Sequence, residues 1–232
     1  MTLKLRDNII DNIGKVKYLS TKETDGLPSP LKDGFVHAHQ TFPDGGTCLE
    51  FGVYLGNSWM WQGLQIMNRF TNDTLIGFDS WQGLPEETPG VWRPDRHQKG
   101  AFTCSKDYII GWMNEIGVKT GSQFQLVDGF FSESLTGELR NKIHNLIFVN
   151  IDVDIHSSTM EILRWITPLL RTGTVIYFDD WLDPADIGKG ASKWGEHLAF
   201  EDWLKENPSV KVELIALNDV NQRAFQIISG RV

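Results

Sequence analysis

The sequence predicts a single α/β domain (1–232) built on a doubly wound sheet of seven strands, mostly parallel, that ends in an antiparallel hairpin. The chain has 232 residues, of which 41% are hydrophobic. It can therefore bury one sizeable core, and no linker rich in Pro, Ser or Gly divides it. From about residue 47, short apolar runs alternate with segments of helical period, which is the pattern of βαβ units. The last two apolar runs flank an Asn-Asp-Val-Asn turn, which indicates the hairpin.

The first half of the chain predicts two strands, a helix between them and two covering segments. Residues 47–53 and 75–79 are apolar runs and are predicted as strands, and residues 58–70 have the period of a helix. Residues 80–104 carry three prolines, aromatic residues and charges without any period, so we predict a lid or insertion over a binding site. Residues 1–45 are weakly patterned and are predicted as an N-terminal cap, a helix followed by a covering loop.

The second half predicts the rest of the sheet. Residues 146–151 form a nearly unbroken apolar run, as expected for a central parallel strand buried on both faces. The residues from Ser158 to Glu161 match a capping box, which predicts a helix beginning there. The remaining predicted elements are a helix at 106–116, a strand at 124–127, a strand at 174–178, a helix at 196–206 and strands at 212–217 and 224–228, which complete a Rossmann-like layout.

The composition excludes several classes of protein and partner. Asp and Glu number 30 against 22 Lys and Arg, a net charge of -8, and the basic residues are scattered, which argues against nucleic acid as a partner. The amino terminus lacks the apolar stretch of a signal peptide, and no run reaches the length of about 18 apolar residues that a membrane span needs. Cys48 lies in an apolar run and is predicted to be a small buried hydrophobe. We expect a cytoplasmic protein with no membrane partner.

The first two predicted strands end in residues that suit a nucleoside ligand. In an open α/β sheet, ligands bind outside the carboxyl ends of the strands. Residues 50–58 (EFGVYLGNS) have glycines that permit a tight turn into a helix, but they lack the Gly-x-Gly-x-x-Gly of a pyrophosphate cradle. Asp79 ends the second strand, where a carboxylate can accept hydrogen bonds from ribose hydroxyls. The sequence thus predicts a site for an adenosine-bearing ligand without a pyrophosphate, with an ordinary strand-to-helix turn as the alternative.

Acidic residues follow the two central strands. Asp152 and Asp154 close one strand, and Asp179 and Asp180 close the next. Carboxylates that converge in a cleft repel one another unless a cation holds them, and oxygen ligands of this kind suit Mg²⁺. The alternative is that these residues are solvated loop acids and helix caps.

Two histidines lie near these acids. His156 follows the first acidic pair, and His97 lies in the predicted lid. Either imidazole could act as a general acid or base or contact a substrate.

The motifs at the strand ends resemble those of the macrocin O-methyltransferase family. The resemblance rests on EFGVYLG at 50–56, FDSWQGLPE at 78–86, DVD at 152–154 followed by Ser-Thr, and DD at 179–180, in the family's order. It covers about residues 46–207, and the Asp-Ser-aromatic-x-Gly-Leu-Pro string is its most specific part. The family consists of enzymes that depend on S-adenosylmethionine and Mg²⁺ and methylate sugar hydroxyls of antibiotics.

The resemblance implies roles for individual residues. Asp154 would be the base that takes the substrate proton, and we place His156 with it as a second catalytic candidate. The implied metal ligands are Asp152, Asp179 and Asp180. The implied cofactor-binding residues are Glu50, Gly52, Gly56, Ser58, Asp79, Ser80, Asp128, Gly129 and Phe130, with Asp79 on the ribose hydroxyls and the last three bordering the adenine.

The predicted function is O-methylation of a small-molecule hydroxyl with adjacent chelating oxygens, such as a sugar diol of a natural product or a catechol. Two alternatives remain at this point. Asp-x-Asp near a central strand also occurs in metal-dependent glycosyltransferases, and a non-catalytic S-adenosylmethionine-binding protein could share the fold. An amino-terminal segment with little core of its own could pack on a second copy, so a homo-oligomer is a further expectation.

Overall fold

The computed structural model describes residues 27–87, 97–181, 194–219 and 221–229 of the chain. The helices are α1 (Ser29–Thr41), α2 (Asn57–Asn68), α3 (Lys106–Glu115), α4 (Phe131–Ser134), α5 (Gly137–Arg140), α6 (His156–Ile166) and α7 (Gly195–Glu206), with a 3-10 turn at Thr167–Leu169. The strands are β1 (Thr47–Phe51), β2 (Thr74–Asp79), β3 (Phe124–Asp128), β4 (Leu146–Ile151), β5 (Val175–Phe178), β6 (Lys211–Leu217) and β7 (Arg223–Ser229).

These strands form one seven-stranded sheet with the order β3-β2-β1-β4-β5-β7-β6. The pairs from β3 to β5 are parallel, and β7 runs antiparallel to both of its neighbours, β5 and β6. The predicted fold class, including the terminal hairpin, is therefore confirmed. The chain leaves the middle of the sheet in opposite directions from β1 and β4, and ligands bind at such a switch point, outside the carboxyl ends of the strands.

Helices cover both faces of the sheet. Every side chain of β4 is buried, and successive side chains of a strand point to opposite faces. Val149 and Ile151 belong to the apolar cluster that includes Trp165 of α6. Phe148 belongs to the cluster on the other face, which α1, α2 and α3 supply. The result is a three-layer α/β/α domain core, which explains why β4 reads as a continuous apolar run.

Helix α1 lies within the segment 1–45 that the sequence predicts as an N-terminal cap. The Phe35 side chain is fully buried, and its ring lies edge-on to Phe148 of β4 at a centroid distance of 5.3 Å and to Trp61 of α2 at 5.2 Å. The helix also contacts β5, β6 and β7. Residues 1–26 of the predicted cap lie outside the described residues.

Both ends of the predicted lid are described, while its residues 88–96 lie outside the described ranges. The two arms pair with each other: the Leu84 N–H donates to the Ala101 carbonyl, and the Gly100 N–H donates to the Leu84 carbonyl, each at 2.9 Å. Leu84 also packs in a small buried cluster with Ile155. A lid function for this segment stays a prediction.

The predicted capping box at Ser158 is wrong. Helix α6 begins at His156, and Ser158 lies buried within its first turn. The N-terminus of the helix is instead capped by a residue distant in sequence. The Ser157 N–H and hydroxyl both donate to Glu87 Oε2, at 3.1 and 3.0 Å. A carboxylate at this position also suits the positive end of the helix dipole.

Two further features bear on the sequence-based expectations. Cys48 is completely buried in β1, as predicted. Within the described part of the chain, none of the helices has the length and hydrophobicity needed to cross a membrane.

Replacing Phe35 by Ala should lower the free energy of unfolding by about 3–5 kcal/mol, because the ring fills a fully buried position between α1 and the sheet. Urea denaturation followed by circular dichroism measures this change. The matched control is Val36→Ala on the same helix, where the side chain is 39% exposed and the change should stay within about 0.5 kcal/mol. Equal small effects of the two substitutions would contradict the packing of α1 on the sheet.

Candidate active site

A cavity of about 630 Å³ lies at the carboxyl ends of β1, β2, β4 and β5. This volume is within the range of sites that bind small molecules and cofactors. The residues after each of these strands reach its wall, as the switch-point rule predicts. The site residues predicted from the sequence that line this cavity are Gly52, Asp79, Ser80, Gly129, Phe130, Asp152, Asp154, Asp179 and Asp180.

The turn after β1 runs close against the loop after β4. Gly52 has a φ of +86°, and a Cβ placed there would lie 1.8 Å from the carbonyl oxygen of Asp152. Gly56, with a φ of +76°, precedes the first turn of α2. Glycine is therefore required at both positions, and at Gly52 it lets the backbone border the cavity directly.

Glu50 and Ser58 do not line the cavity. They are hydrogen-bonded to each other beneath the turn after β1. The Glu50 side chain is completely buried. It accepts hydrogen bonds from the Ser58 hydroxyl at 2.8 Å and from the Gln62 amide. Burial raises the pKa of Glu50 to about 8, against the lowering effect of these donors.

Asp79 at the end of β2 is held by backbone donors. Its Oδ2 accepts from the Tyr54 N–H at 2.8 Å and its Oδ1 from the Trp81 N–H at 2.7 Å. Burial raises the pKa of Asp79, and these hydrogen bonds oppose the rise. Ser80 shapes the following turn, because its hydroxyl donates to the Gly83 carbonyl at 3.0 Å. The Val53 N–H also hydrogen-bonds this carboxylate. A carboxylate has about four acceptor positions, so Asp79 keeps capacity to accept from a ligand hydroxyl.

Asp128 does not reach the described cavity wall, unlike its neighbours Gly129 and Phe130. It accepts a hydrogen bond from the indole N–H of Trp81 at 2.9 Å and one from the Lys106 ammonium at 2.7 Å. Partial desolvation raises the pKa of Asp128, but these two donors outweigh it and hold the pKa below its ordinary value. In this structure Asp128 anchors the loop after β2, and its predicted place beside the adenine stays a prediction.

The three predicted metal ligands come together. Asp152, Asp179 and Asp180 each offer a carboxylate oxygen, and these oxygens lie within 4.8 Å of one another. Burial raises the pKa of Asp152 well above its ordinary value, and the charges of Asp179 and Asp180 raise it further. The pKa of Asp180 is also raised well above its ordinary value, first by burial and then by the charges of Glu196, Asp154 and Asp179. A cation bound between these oxygens would offset both the cost of burying the charges and their mutual repulsion, which fits the predicted metal site.

Asp179 is oriented by hydrogen bonds from the side chains of Tyr177 and Gln222. Its Oδ1 accepts from the Tyr177 hydroxyl and from the Gln222 amide, the latter at 2.9 Å. Burial raises the pKa of Asp179, and these donors oppose the rise. Both donors use the same oxygen, so the other oxygen can face the cavity.

Asp154 reaches the cavity through an unusual backbone conformation. Its φ is +62°, a left-handed value that Asp tolerates better than most residues. The Nδ1 of His97, in the described second arm of the predicted lid, lies 3.5 Å from Asp154 Oδ1. The structure therefore pairs Asp154 with His97, one of the two histidines that the sequence singled out.

His156 is not brought to the cavity. It is the first residue of α6, and its Nε2 lies 3.1 Å from Asp202 Oδ2 on α7. The left-handed turn at Asp154 redirects the chain, so the strand alternation that would have aligned residue 156 with residues 152 and 154 ends there. The described contacts of His156 do not bring it to the carboxylates that line the cavity, and its catalytic role stays a prediction.

Sequence reasoning missed Glu196, the second residue of α7. Its side chain is completely buried, and its Oε1 accepts from the N–H groups of Val153 at 2.9 Å and Asp154 at 3.3 Å. Its Oε2 accepts from the Asp180 N–H at 3.0 Å. Burial raises the pKa of Glu196 to about 8, although these backbone donors lower it. A single Glu in the first turn of a helix is an ordinary pattern, so no sequence signal pointed to this role.

Comparisons with known proteins give one family and one fold. Residues 49–181 match the family model described as a methyltransferase domain, and no curated protein matches the chain. The fold is similar to that of the O-methyltransferase NovP, at 17% identity and a TM-score of 0.69 over 85% of this chain and 79% of that one. It is also similar to CalS11, a calicheamicin methyltransferase, at 18% identity and a TM-score of 0.65 over 94% and 91%. A third is the O-methyltransferase TomG from Streptomyces achromogenes, at 15% identity and a TM-score of 0.59 over 94% and 90%.

Replacing Glu50 by Gln should flatten the dependence of stability on pH. The pKa of Glu50 is about 8 in the folded protein, against 4.5 for an ordinary Glu. Between these values the folded state holds a proton that the unfolded state has lost, so the Glu50 contribution falls as the pH rises. Urea midpoints measured from about pH 5 to about pH 8 should therefore decline in the wild type relative to Glu50→Gln.

The control for this experiment is Glu213→Gln, which removes an exposed carboxyl group on β6 and should follow the wild-type curve. Parallel curves for the wild type and Glu50→Gln would show that Glu50 is already ionised in the folded protein.

Proposed function

We propose that this chain, which belongs to the methyltransferase-domain family, transfers the methyl group of S-adenosylmethionine to a hydroxyl oxygen of a small molecule with the aid of Mg²⁺. Membership of the family confirms that the chain is a methyltransferase, and transfer to a hydroxyl oxygen is part of the proposal. The observation that carries the rest is that a single cavity joins Asp79, at the end of β2, to the carboxylate trio at the ends of β4 and β5.

The part of the cavity lined by Gly52, Asp79 and Gly129, here called the cofactor half, suits S-adenosylmethionine. At Gly52 the backbone itself borders the cavity, because a side chain there would collide with the Asp152 carbonyl. Asp79 would hold the ribose hydroxyls with the acceptor capacity that its backbone donors leave. Gly129 and Phe130 line the wall where the adenine is expected. Glu50, Gly56 and Ser58 would shape this half from behind.

The part of the cavity lined by Asp152, Asp179 and Asp180, here called the metal half, suits a hard divalent cation. Asp152, Asp179 and Asp180 supply oxygen ligands alone, which favours Mg²⁺ over softer metals. When bound, the cation would supply Lewis-acid polarisation of the acceptor hydroxyl and orientation of the acceptor.

The protein's own chemical step is assigned to Asp154. The acceptor oxygen forms a bond to the methyl carbon while the bond from that carbon to the sulfonium breaks, and the hydroxyl proton passes to the Asp154 carboxylate. Asp154 lines the cavity, with only 14% of its side chain exposed. A general base held close to a reacting hydroxyl removes the need for a proton to diffuse to bulk water.

The acceptor is proposed to be a sugar diol of a natural product or a catechol-like molecule, since two adjacent oxygens suit the metal half. Two observations support a sugar. The strand-end motifs resemble the macrocin O-methyltransferase family, and CalS11, which has a similar fold, is described as a TDP-rhamnose 3'-O-methyltransferase. We further propose a cytoplasmic enzyme that acts without nucleic acid and forms homo-oligomers.

The alternatives considered from the sequence are weaker. The methyltransferase-domain match does not favour a glycosyltransferase. A non-catalytic binding protein would not need the convergent carboxylates of Asp152, Asp179 and Asp180, which are costly to bury without a function.

Replacing Asp179 by Asn should lower turnover at least about 100-fold, because one charged metal ligand is lost. The amide oxygen can still accept from Tyr177 and Gln222, so the fold should be retained. Transfer of labelled methyl groups to a vicinal diol or catechol panel in the presence of Mg²⁺ measures turnover. Calorimetry should show S-adenosylmethionine affinity within about three-fold of the wild type, since Asp179 lies in the other half of the cavity.

Asp33→Asn, at an exposed position of α1, serves as the control and should keep wild-type turnover. Unchanged turnover in Asp179→Asn would exclude the proposed metal role.

Replacing Asp154 by Asn should lower kcat by about 10²–10⁴-fold, the usual contribution of a general base. Asn also tolerates the left-handed backbone at this position, so the loop should keep its shape. Binding of Mn²⁺, as a paramagnetic substitute for Mg²⁺, should persist because the three proposed ligands are intact. A variant that keeps its kcat would place the base elsewhere.

A further inference from the structure

One buried side chain joins the two acidic loops of the site. The loop after β4 carries Asp152 and Asp154, and the loop after β5 carries Asp179 and Asp180. Glu196 Oε1 binds the backbone of the first loop, through Val153 and Asp154, and Glu196 Oε2 binds the backbone of the second, through Asp180. Within the described residues, these hydrogen bonds form a bridge from α7 to both loops.

The contacts of Glu196 distinguish it from a metal ligand. Its two oxygens are engaged with backbone N–H groups, and its side chain has no exposed surface. It is not part of the carboxylate trio or of the described cavity lining. Glu196 therefore acts on the site through the loops that it holds.

The bridge also acts on the backbone of the proposed base. A left-handed residue other than Gly costs of the order of 1–3 kcal/mol and persists only where its surroundings hold it. Asp154 has this conformation, and its N–H is one of the three that Glu196 accepts. The same carboxylate thus supports the orientation of Asp154 and the separation of Asp152 from Asp180.

We propose that Glu196 is a positioning residue that clamps the two acidic loops together and thereby sets the metal affinity of the site. The inference rests on the proposed metal-dependent function and adds a residue to it. Metal ligands that are held at their working separation lose little freedom on binding, and supporting partners of metal ligands are typically worth 10–100-fold in affinity.

Glu196→Gln tests the clamp with little change in shape. An amide can accept on one side only, so its NH₂ group must face the N–H groups of one loop and release that loop. Mn²⁺ titrations followed by electron paramagnetic resonance should show a dissociation constant raised about 10–100-fold. The affinity for S-adenosylmethionine, measured without metal, should stay within about three-fold of the wild type.

The matched control is Glu206→Gln on the same helix, where the carboxylate pairs with Arg164 near the surface and Mn²⁺ affinity should not change. If Glu196→Gln binds Mn²⁺ as tightly as the wild type, the clamp is overturned while the proposed function stands. If the wild type itself binds no Mn²⁺, the proposed metal site fails, and the clamp fails with it.

Should Glu196→Gln not fold, amide hydrogen exchange of the wild type provides the test. The proposal expects the N–H groups of Val153, Asp154 and Asp180 to be protected and to exchange in a common opening event. Fast exchange of the Asp180 amide, independent of the other two, would overturn it.

Discussion

The repulsion between buried carboxylates at the ends of β4 and β5 is the constraint on which the rest of the site depends. Burying a charge is costly unless hydrogen bonds or a counter-charge compensate it. In this protein the carboxylates of Asp152, Asp179 and Asp180 are brought within bonding distance of one ion, and burial raises the pKa of each. The surrounding structure therefore has to hold three carboxylates that repel one another. The proposed cation would neutralise the negative charge that the protein's own hydrogen-bond donors do not compensate.

Backbone strain concentrates around the same cavity. Six non-glycine residues of the described chain have positive φ values. Tyr54, Phe102 and Asp154 line the cavity and Trp81 lies in the loop beside it. The other two, Asn145 and Asn221, are not among the lining residues. Such conformations are unfavourable for aromatic side chains in particular. Specific contacts accompany these conformations: the Tyr54 N–H donates to Asp79, 25 residues away, the Trp81 N–H donates to the same carboxylate within its own turn, and the Phe102 ring meets that of Tyr54 at 5.6 Å. Local turns and tertiary contacts together hold the cavity wall, with Tyr54 and Asp154 held by residues distant in sequence.

The fold was predictable because its signals are local. A parallel strand buried on both faces appears as an apolar run, as in residues 146–151, and the turn between β6 and β7 is marked by its polar residues. The start of α6 was not predictable, because the acid that supports it, Glu87, lies 70 residues away in sequence. For the same reason Glu196, 43 residues from Val153, gave no signal. Strand alternation placed Asp152 and Asp154 correctly but not His156, since a left-handed residue interrupts the strand pattern.

The two halves of the cavity differ in how they are assembled. The proposed cofactor half is held by residues of the amino-terminal half of the chain: Ser58 donates to Glu50, and Tyr54 donates to Asp79. The metal half is closed from the carboxyl-terminal part of the chain, since Glu196 of α7 holds both acidic loops and Gln222, 43 residues from Asp179, orients that ligand from the β6–β7 turn. Local opening of α7 or of the hairpin would therefore disturb the proposed metal ligands while leaving the turns after β1 and β2 in place. By linkage, a cation bound at the trio would in turn stabilise that carboxyl-terminal part of the fold.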